Sequence, residues 1–164
     1  MLAEYIAMYR NHGSLKKHEH KILGTNNRLD SMQAGFLNVK LQFLPEWTER
    51  RRAIARKYVA GLQHNKDIKL PRWHERSNPV WHAFVIRLEN RDRLAEYLKD
   101  NGVETLINYP AILPETKVFY QHDASERYAV SRRASQELLC LPIYPELTDL
   151  QVEYILELIE RFFK

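Results

Sequence analysis

Gly24-Thr25-Asn26-Asn27-Arg28-Leu29-Asp30-Ser31-Met32-Gln33-Ala34-Gly35-Phe36-Leu37-Asn38-Val39-Lys40-Leu41 is a polar turn that opens into an amphipathic helix. Asp30 or Asn27 suits the helix start, because a side-chain oxygen there accepts from the free N–H groups of the first turn. Met32, Phe36, Leu37, Leu41 and Leu44 then recur at steps of three and four, the spacing of a helix that buries one face. Asn26 is the foremost functional candidate of the stretch. An uncharged amide just before a helix start can donate to a phosphate oxygen, and it can equally make a turn or a cap. Arg28 can bind a phosphate or a substrate, or pair with Asp30.

On the C-terminal side, helical character persists to about Leu62. Pro45 interrupts it, and a proline there removes one i→i−4 bond and kinks or restarts the helix. Leu44, Trp47, Arg51, Ile54, Tyr58 and Leu62 form an interior stripe. Asn65-Lys66-Asp67 is a turn. On the N-terminal side, residues 2–11 read as a helix with Leu2, Tyr5, Ile6 and Tyr9 on one face and Gly13 as its stop. Residues 15–23 are polar and read as a loop or short strand.

Beyond residue 66, strand and helix signals alternate. Residues 68–70, 80–88 and 103–109 read as strands. Residues 91–101 read as a helix with Leu94, Tyr97 and Leu98 inward and Gly102 as the stop, and residues 127–139 as another. Thr148-Asp149-Leu150-Gln151 opens a last helix with a wide apolar face that includes Leu150, Val152, Tyr154, Ile155, Leu158 and Ile159. Helices gathered on one face of a small, mostly antiparallel sheet make an α+β domain over 67–164, preceded by a long helical segment over 1–66.

A length of 164 residues, 45% hydrophobic and 28% charged, suits one folded unit with a real core and excludes a disordered chain. The net charge of +4 is mild, and the runs Arg50-Arg51-Arg52 and Arg132-Arg133 read as solvated helix faces rather than a nucleic-acid surface. One cysteine, Cys140, excludes an internal disulfide, which together with the lack of a signal peptide favours the cytoplasm. It lies in Leu138-Leu139-Cys140-Leu141, where burial as a small apolar side chain is expected. No apolar run approaches the ~20 residues of a membrane span. His18-Glu19-His20 lacks a clear third metal ligand, so no metal is expected. His82 reads as a structural strand residue.

The opening stretch, as Gly-x-Asn-x-Arg-Leu-Asp-x-x-Gln-Ala-x-x-Leu-x-x-Lys-Leu, resembles a signature of the DegT/DnrJ/StrS family of pyridoxal-phosphate (PLP) sugar aminotransferases. Arg10-Asn11-His12-Gly13, Trp81-His82-Ala83-Phe84-Val85-Ile86-Arg87, Asn108-Tyr109-Pro110 and Leu141-Pro142-Ile143-Tyr144-Pro145 resemble further family motifs in family order. The resemblance implies the C-terminal portion of a fold-type I aminotransferase. Residues 1–66 would link from an absent PLP-binding large domain, and 67–164 would be the small C-terminal domain. It implies that Asn26 reaches the PLP phosphate of the partner subunit in a homodimer. Arg28, His12, Asn108 and Tyr109 become candidates for substrate binding.

The enzyme class needs a lysine that forms a Schiff base with PLP and moves a proton. By family order that lysine precedes Arg-Asn-His-Gly, and none of the lysines here matches it. No catalytic residue and no bound PLP are therefore expected in this chain alone. The resemblance further implies amino transfer, typically from glutamate, to a nucleotide-linked keto sugar in amino-sugar and surface-polysaccharide biosynthesis. Residues 108–114 depart from the family's His-Tyr-Pro-x-Pro-Leu-His: Asn108, Ile112 and Pro114 stand where it carries histidine, proline and histidine. The alternative reading is a non-catalytic binding or dimerisation domain.

Overall fold

The computed structural model describes residues 2–74, 76–119 and 127–164. They form two compact units, Met1–Leu44 and Pro45–Lys164.

The first unit begins with α1 (Leu2–Tyr9), followed by the small antiparallel hairpin β1 (Ser14–Lys16) and β2 (Glu19–His20). Its apolar side chains are largely uncovered. Leu2, Tyr5, Ile6 and Tyr9 are exposed, and so are Met32, Phe36, Leu37, Leu41 and Leu44 along the start of α2 (Ser31–Leu62). The buried face expected for this part of the helix is therefore absent in this chain. The periodicity is present, but no described residue packs over it closely enough to take it from solvent.

Pro45 lies inside α2 and does not restart it. Only its own missing N–H is lost from the ladder, and the turns on either side continue. From Ile54 onward the helix does bury its stripe: Ile54, Ala55, Tyr58 and Leu62 are among the most enclosed residues of the second unit. Around them stand β3 (Phe84–Arg87), α3 (Arg91–Asp100), α4 (Ala129–Glu137), β4 (Leu138–Leu141) and α5 (Asp149–Phe162). Strands β3 and β4 pair antiparallel from Phe84↔Leu141 to Arg87↔Leu138. Single bridges at Lys69↔Arg87 and Leu106↔Cys140 extend the sheet by one chain on each side. The architecture is α+β. Phe84, Ile86, Leu139 and Leu141 face the core with Leu94, Leu98, Val152, Ile155, Leu158 and Ile159 of the helices.

Several element boundaries move relative to the sequence reading. Residues 68–70 and 103–109 contribute one bridge each rather than strands, and the 80–88 strand shortens to β3, leaving His82 outside it. The helix expected to reach residue 139 ends at Glu137, because residues 138–141 pair with β3 instead. A short apolar run enclosed on both faces has no alternation to distinguish strand from helix. In α5 the buried set is Val152, Ile155, Leu158 and Ile159, while Leu150 and Tyr154 stay exposed, so the apolar face is narrower than expected. Thr148 and Gln151 close a reciprocal capping box at its start.

The arginine run is not a solvated face. Arg51 donates to the carbonyls of Ile143 at 2.7 Å and Trp81 at 3.3 Å. Arg52 Nε reaches Pro79 O at 3.1 Å, and Arg50 binds the Leu147 carbonyl and pairs with Asp149 at 2.7 Å. The run fastens α2 to two loops whose carbonyls have no ladder partners. Tyr58 does the same from within the core, donating to Pro142 O at 2.8 Å, and its burial pushes the phenol well above its ordinary pKa.

Candidate functional site

Two stretches singled out in the sequence meet in the first unit. Arg10-Asn11-His12-Gly13 leaves the end of α1 and runs antiparallel to Gly24-Thr25-Asn26-Asn27. His12 N–H donates to Thr25 O at 3.0 Å, Thr25 N–H to Tyr9 O at 2.8 Å and Asn27 N–H to Arg10 O at 2.9 Å. Asn11 and Asn26 form a bridge between them. Both glycines are required here. A side chain at Gly24 would strike the backbone of Tyr9, His12 and Gly13, and one at Gly13, which has φ +77°, would strike the Ile22 carbonyl.

On this frame Asn26 and Arg28 sit side by side. Arg28 Nε donates to Asn26 Oδ1 at 2.8 Å. That bond fixes the amide orientation and leaves Asn26 Nδ2 as a donor with no protein acceptor among the described residues. The Arg28–Asp30 ion pair considered from the sequence does not form. Helix α2 instead opens at Asp30 through backbone groups: Gln33 Oε1 accepts from Asp30 N–H at 3.4 Å, and Asp30 O accepts from Ala34 N–H at 2.9 Å. Asn27 is not the cap, since its Nδ2 donates to Thr25 Oγ1 at 2.6 Å.

His12 occupies a left-handed backbone position with φ 57°, and its carbonyl is bonded to His20 Nδ1 at 2.8 Å. Its place is thus set by main-chain bonds, which leave the ring without a hydrogen bond among the described residues. Arg10 was not singled out from the sequence by itself. The cue available was its position at the head of Arg-Asn-His-Gly, and the structure sets it across from Asn27.

Asn108 and Tyr109 belong to the second unit. They line a cavity of about 1000 Å³ between the 108–116 loop and α4, whose walls also include Ile112, Tyr128, Ala134 and Leu138. Tyr109 is exposed. Leu113 and Pro114 lie in a short 3₁₀ turn (Leu113–Glu115) that closes one side. Below the loop Cys140 is buried. Burial pushes its thiol pKa up, and a hydrogen bond from the Asn108 backbone partly opposes the shift. A raised thiol pKa removes thiolate and with it nucleophilicity. Among the described residues no three His, Cys, Asp or Glu side chains gather as a metal site requires. No described helix is long and apolar enough to cross a membrane.

The profile of the DegT/DnrJ/EryC1/StrS aminotransferase family matches residues 1–160. This chain belongs to that family. It is 38% identical over 156 residues to the erythromycin biosynthesis sensory transduction protein EryC1 of Saccharopolyspora erythraea, covering 94% of this chain and 43% of that protein. It is 37% identical over 161 residues to the dTDP-3-amino-3,6-dideoxy-α-D-galactopyranose transaminase of Aneurinibacillus thermoaerophilus, covering 98% and 44%. The chain spans less than half the length of these curated relatives. Its fold superposes on DesV of S. venezuelae in complex with a ketimine intermediate, with TM-score 0.87 and 36% identity, over 98% of this chain and 44% of that one. It also superposes on Bacillus subtilis NtdA with bound cofactor PMP, with TM-score 0.79 and 26% identity, over 96% and 38%. The DegT/DnrJ/EryC1/StrS family is PLP-dependent. Its members match here in their C-terminal portion, where Asn26, Arg28 and the 108–114 loop lie.

Proposed function

We propose that this chain is the C-terminal part of a PLP-dependent aminotransferase that moves an amino group, from glutamate, onto a nucleotide-linked keto sugar in the cytoplasm. Residues 67–164 act as the small domain and residues 1–66 as the link from the cofactor-binding domain. The observation that carries the reading is the Asn26–Arg28 pair on its glycine-dependent frame, within a family match over nearly the whole chain.

The donor set suits the phosphate end of PLP. Asn26 Nδ2 is an oriented, uncharged donor with no competing acceptor among the described residues, and Arg28 supplies positive charge at its side. When bound, PLP supplies the electron sink on which the amino group is exchanged. This chain's residues would hold and orient. Asn26 would bind the phosphate across a homodimer, Arg28 and His12 would border the substrate, and Asn108 and Tyr109 would offer hydrogen bonds to the sugar or its phosphates. None of the lysines present takes the Schiff-base role, so the chain alone retains no PLP. Asn108, Ile112 and Pro114 replace the family's usual residues along the loop, which makes the sugar subsite less polar than the family pattern.

The test is to read the coding DNA upstream of Met1 and to express the longest in-frame product with PLP, glutamate and a dTDP-linked keto sugar. Glutamate-dependent amination supports the reading. A stop codon and promoter directly upstream favour the second reading, a non-catalytic dimerisation domain. The uncovered apolar residues of the first unit support that alternative.

A further inference from the structure

We propose that the second unit binds a small organic di- or tricarboxylate in a cavity of about 420 Å³. The turn after α2, the start of α3 and the end of α5 meet there. Lys66, Lys69 and Arg93 take the carboxylates, and the carbon skeleton lies against Leu88, Phe162 and Phe163. None of His12, Asn26, Arg28, Asn108 or Tyr109 lines this cavity, and the proposal does not rest on the transaminase reading.

The three cations come from three segments whose backbone is fixed before any ligand arrives. Lys66 lies in a turn closed by Asn65 N–H to Leu62 O at 3.0 Å and Asp67 N–H to Asn65 Oδ1 at 2.9 Å. Lys69 is bridged to Arg87, donating to its carbonyl at 2.8 Å and accepting from its N–H at 3.0 Å. Arg93 stands in the first turn of α3. Arg50, Arg87 and Arg133 each pair with a carboxylate. Among the described residues Lys66, Lys69 and Arg93 have no such partner.

Asp67, Glu89 and Glu137 also line the cavity, and two of them are already committed. Glu137 is held by Arg87 at 2.7 Å and Arg133 at 2.6 Å, and Glu89 lies 4.0 Å from Arg133. Asp67 is the carboxylate left to balance the three cations. Like charges gathered on one concave surface repel, and a bound polyanion relieves that repulsion. The remaining wall is apolar. Leu88 is buried, and the half-buried rings of Phe162 and Phe163 meet edge to face at 5.1 Å. An inorganic anion would leave that wall facing water, whereas carbon atoms between carboxylates cover it.

The purified chain is titrated at low salt with citrate and, separately, with inorganic phosphate. Binding is followed by calorimetry and by backbone amide signals in ¹H–¹⁵N NMR. Citrate is expected to bind saturably and more tightly than phosphate, moving the amides of Lys69, Leu88 and Arg93. Lys69→Gln and Arg93→Gln should each weaken citrate binding about fivefold. Lys99→Gln removes a charge from the same helix outside the cavity and should leave the affinity unchanged.

Lys69 and Arg93 are exposed, so the ligand-free variants should melt near wild type, which separates lost binding from lost folding. Citrate should raise the melting temperature of wild type, and raise it less in the Lys69→Gln/Arg93→Gln double variant. Phosphate binding as tightly as citrate would reduce the site to bare charge and overturn the carboxylate assignment. Unchanged citrate affinity in the folded double variant, or no saturation in wild type, overturns the site itself.

Discussion

Asn26 carries two hydrogen-bonding ends with separate jobs, and substitutions can divide them. Its Oδ1 holds Arg28, and its Nδ2 is the proposed phosphate donor. In the longer in-frame protein, Asn26→Ala removes one hydrogen bond to an ionised phosphate, worth about 1.5–3 kcal/mol. PLP affinity should then fall about tenfold or more. Asn26→Asp keeps an acceptor for Arg28 but replaces the donor with a negative charge, so it should weaken PLP further while leaving the melting temperature near wild type. Helix α2 opens at Asp30 and does not use the Asn26 side chain, so neither variant should unfold it. Equal PLP dissociation constants for all three proteins would retire the phosphate role.

At the scale of elements, arginines and caps hold loops that no ladder covers. Arg51→Ala strips two carbonyls of a charged donor and should cost about 2 kcal/mol in urea unfolding. Arg56→Ala loses only an exposed pair with Glu49 at 3.5 Å and should cost less than about 1 kcal/mol. Comparable losses for the two would show that the staples carry no special weight. Thr148→Ala opens the capping box of α5 and should cost about 1 kcal/mol, or about 3 °C in melting temperature.

Where α4 passes into β4, Glu137 is nearly enclosed and bonded to Arg133 at 2.6 Å and Arg87 at 2.7 Å. The Arg133 hydrogen bond, followed by that of Arg87, holds its carboxyl below the ordinary value of 4.5. A depressed folded pKa contributes stability that is present above the unfolded value. That stability is lost as pH falls through the lower folded one. Urea midpoints should therefore drop below pH 4.5 more steeply in wild type than in Glu137→Gln. Parallel acid limbs would show that the pair is not what fails in acid.

At the scale of the whole molecule, the two units differ in how far each covers itself. Pro45–Lys164 encloses a continuous core. Met1–Leu44 leaves Met32 74%, Phe36 65% and Leu41 63% exposed along one helix segment. Exposed apolar patches beyond a few hundred Å² favour association. The chain should therefore self-associate as its concentration rises, and Phe36→Asp with Leu41→Asp should shift it toward monomer in sedimentation velocity. A strict monomer in the wild type at high concentration would mean the face stays uncovered without penalty.

The four-residue spacing of Ile54, Tyr58 and Leu62, the Thr148-to-Gln151 signature and the polar turn before Asp30 each placed a helix or its start correctly, because these signals act over four residues or fewer. The family motifs were legible for the same reason: each is a short run of particular residues. The strand at Leu138–Leu141 was not, since an apolar run enclosed on both faces has no alternation to read, and only pairing with Phe84–Arg87 decides its form. Nor was the work of Arg50, Arg51 and Arg52, whose carbonyl partners lie about 27 to 97 residues away. The periodicity of Met32, Phe36 and Leu37 states which side a helix would bury, and only the surrounding structure states whether anything lies there. By itself the sequence determined the main helices and the family. The tertiary structure decided which strands pair and which charges become staples, because each of these depends on groups brought together by folding rather than by order along the chain.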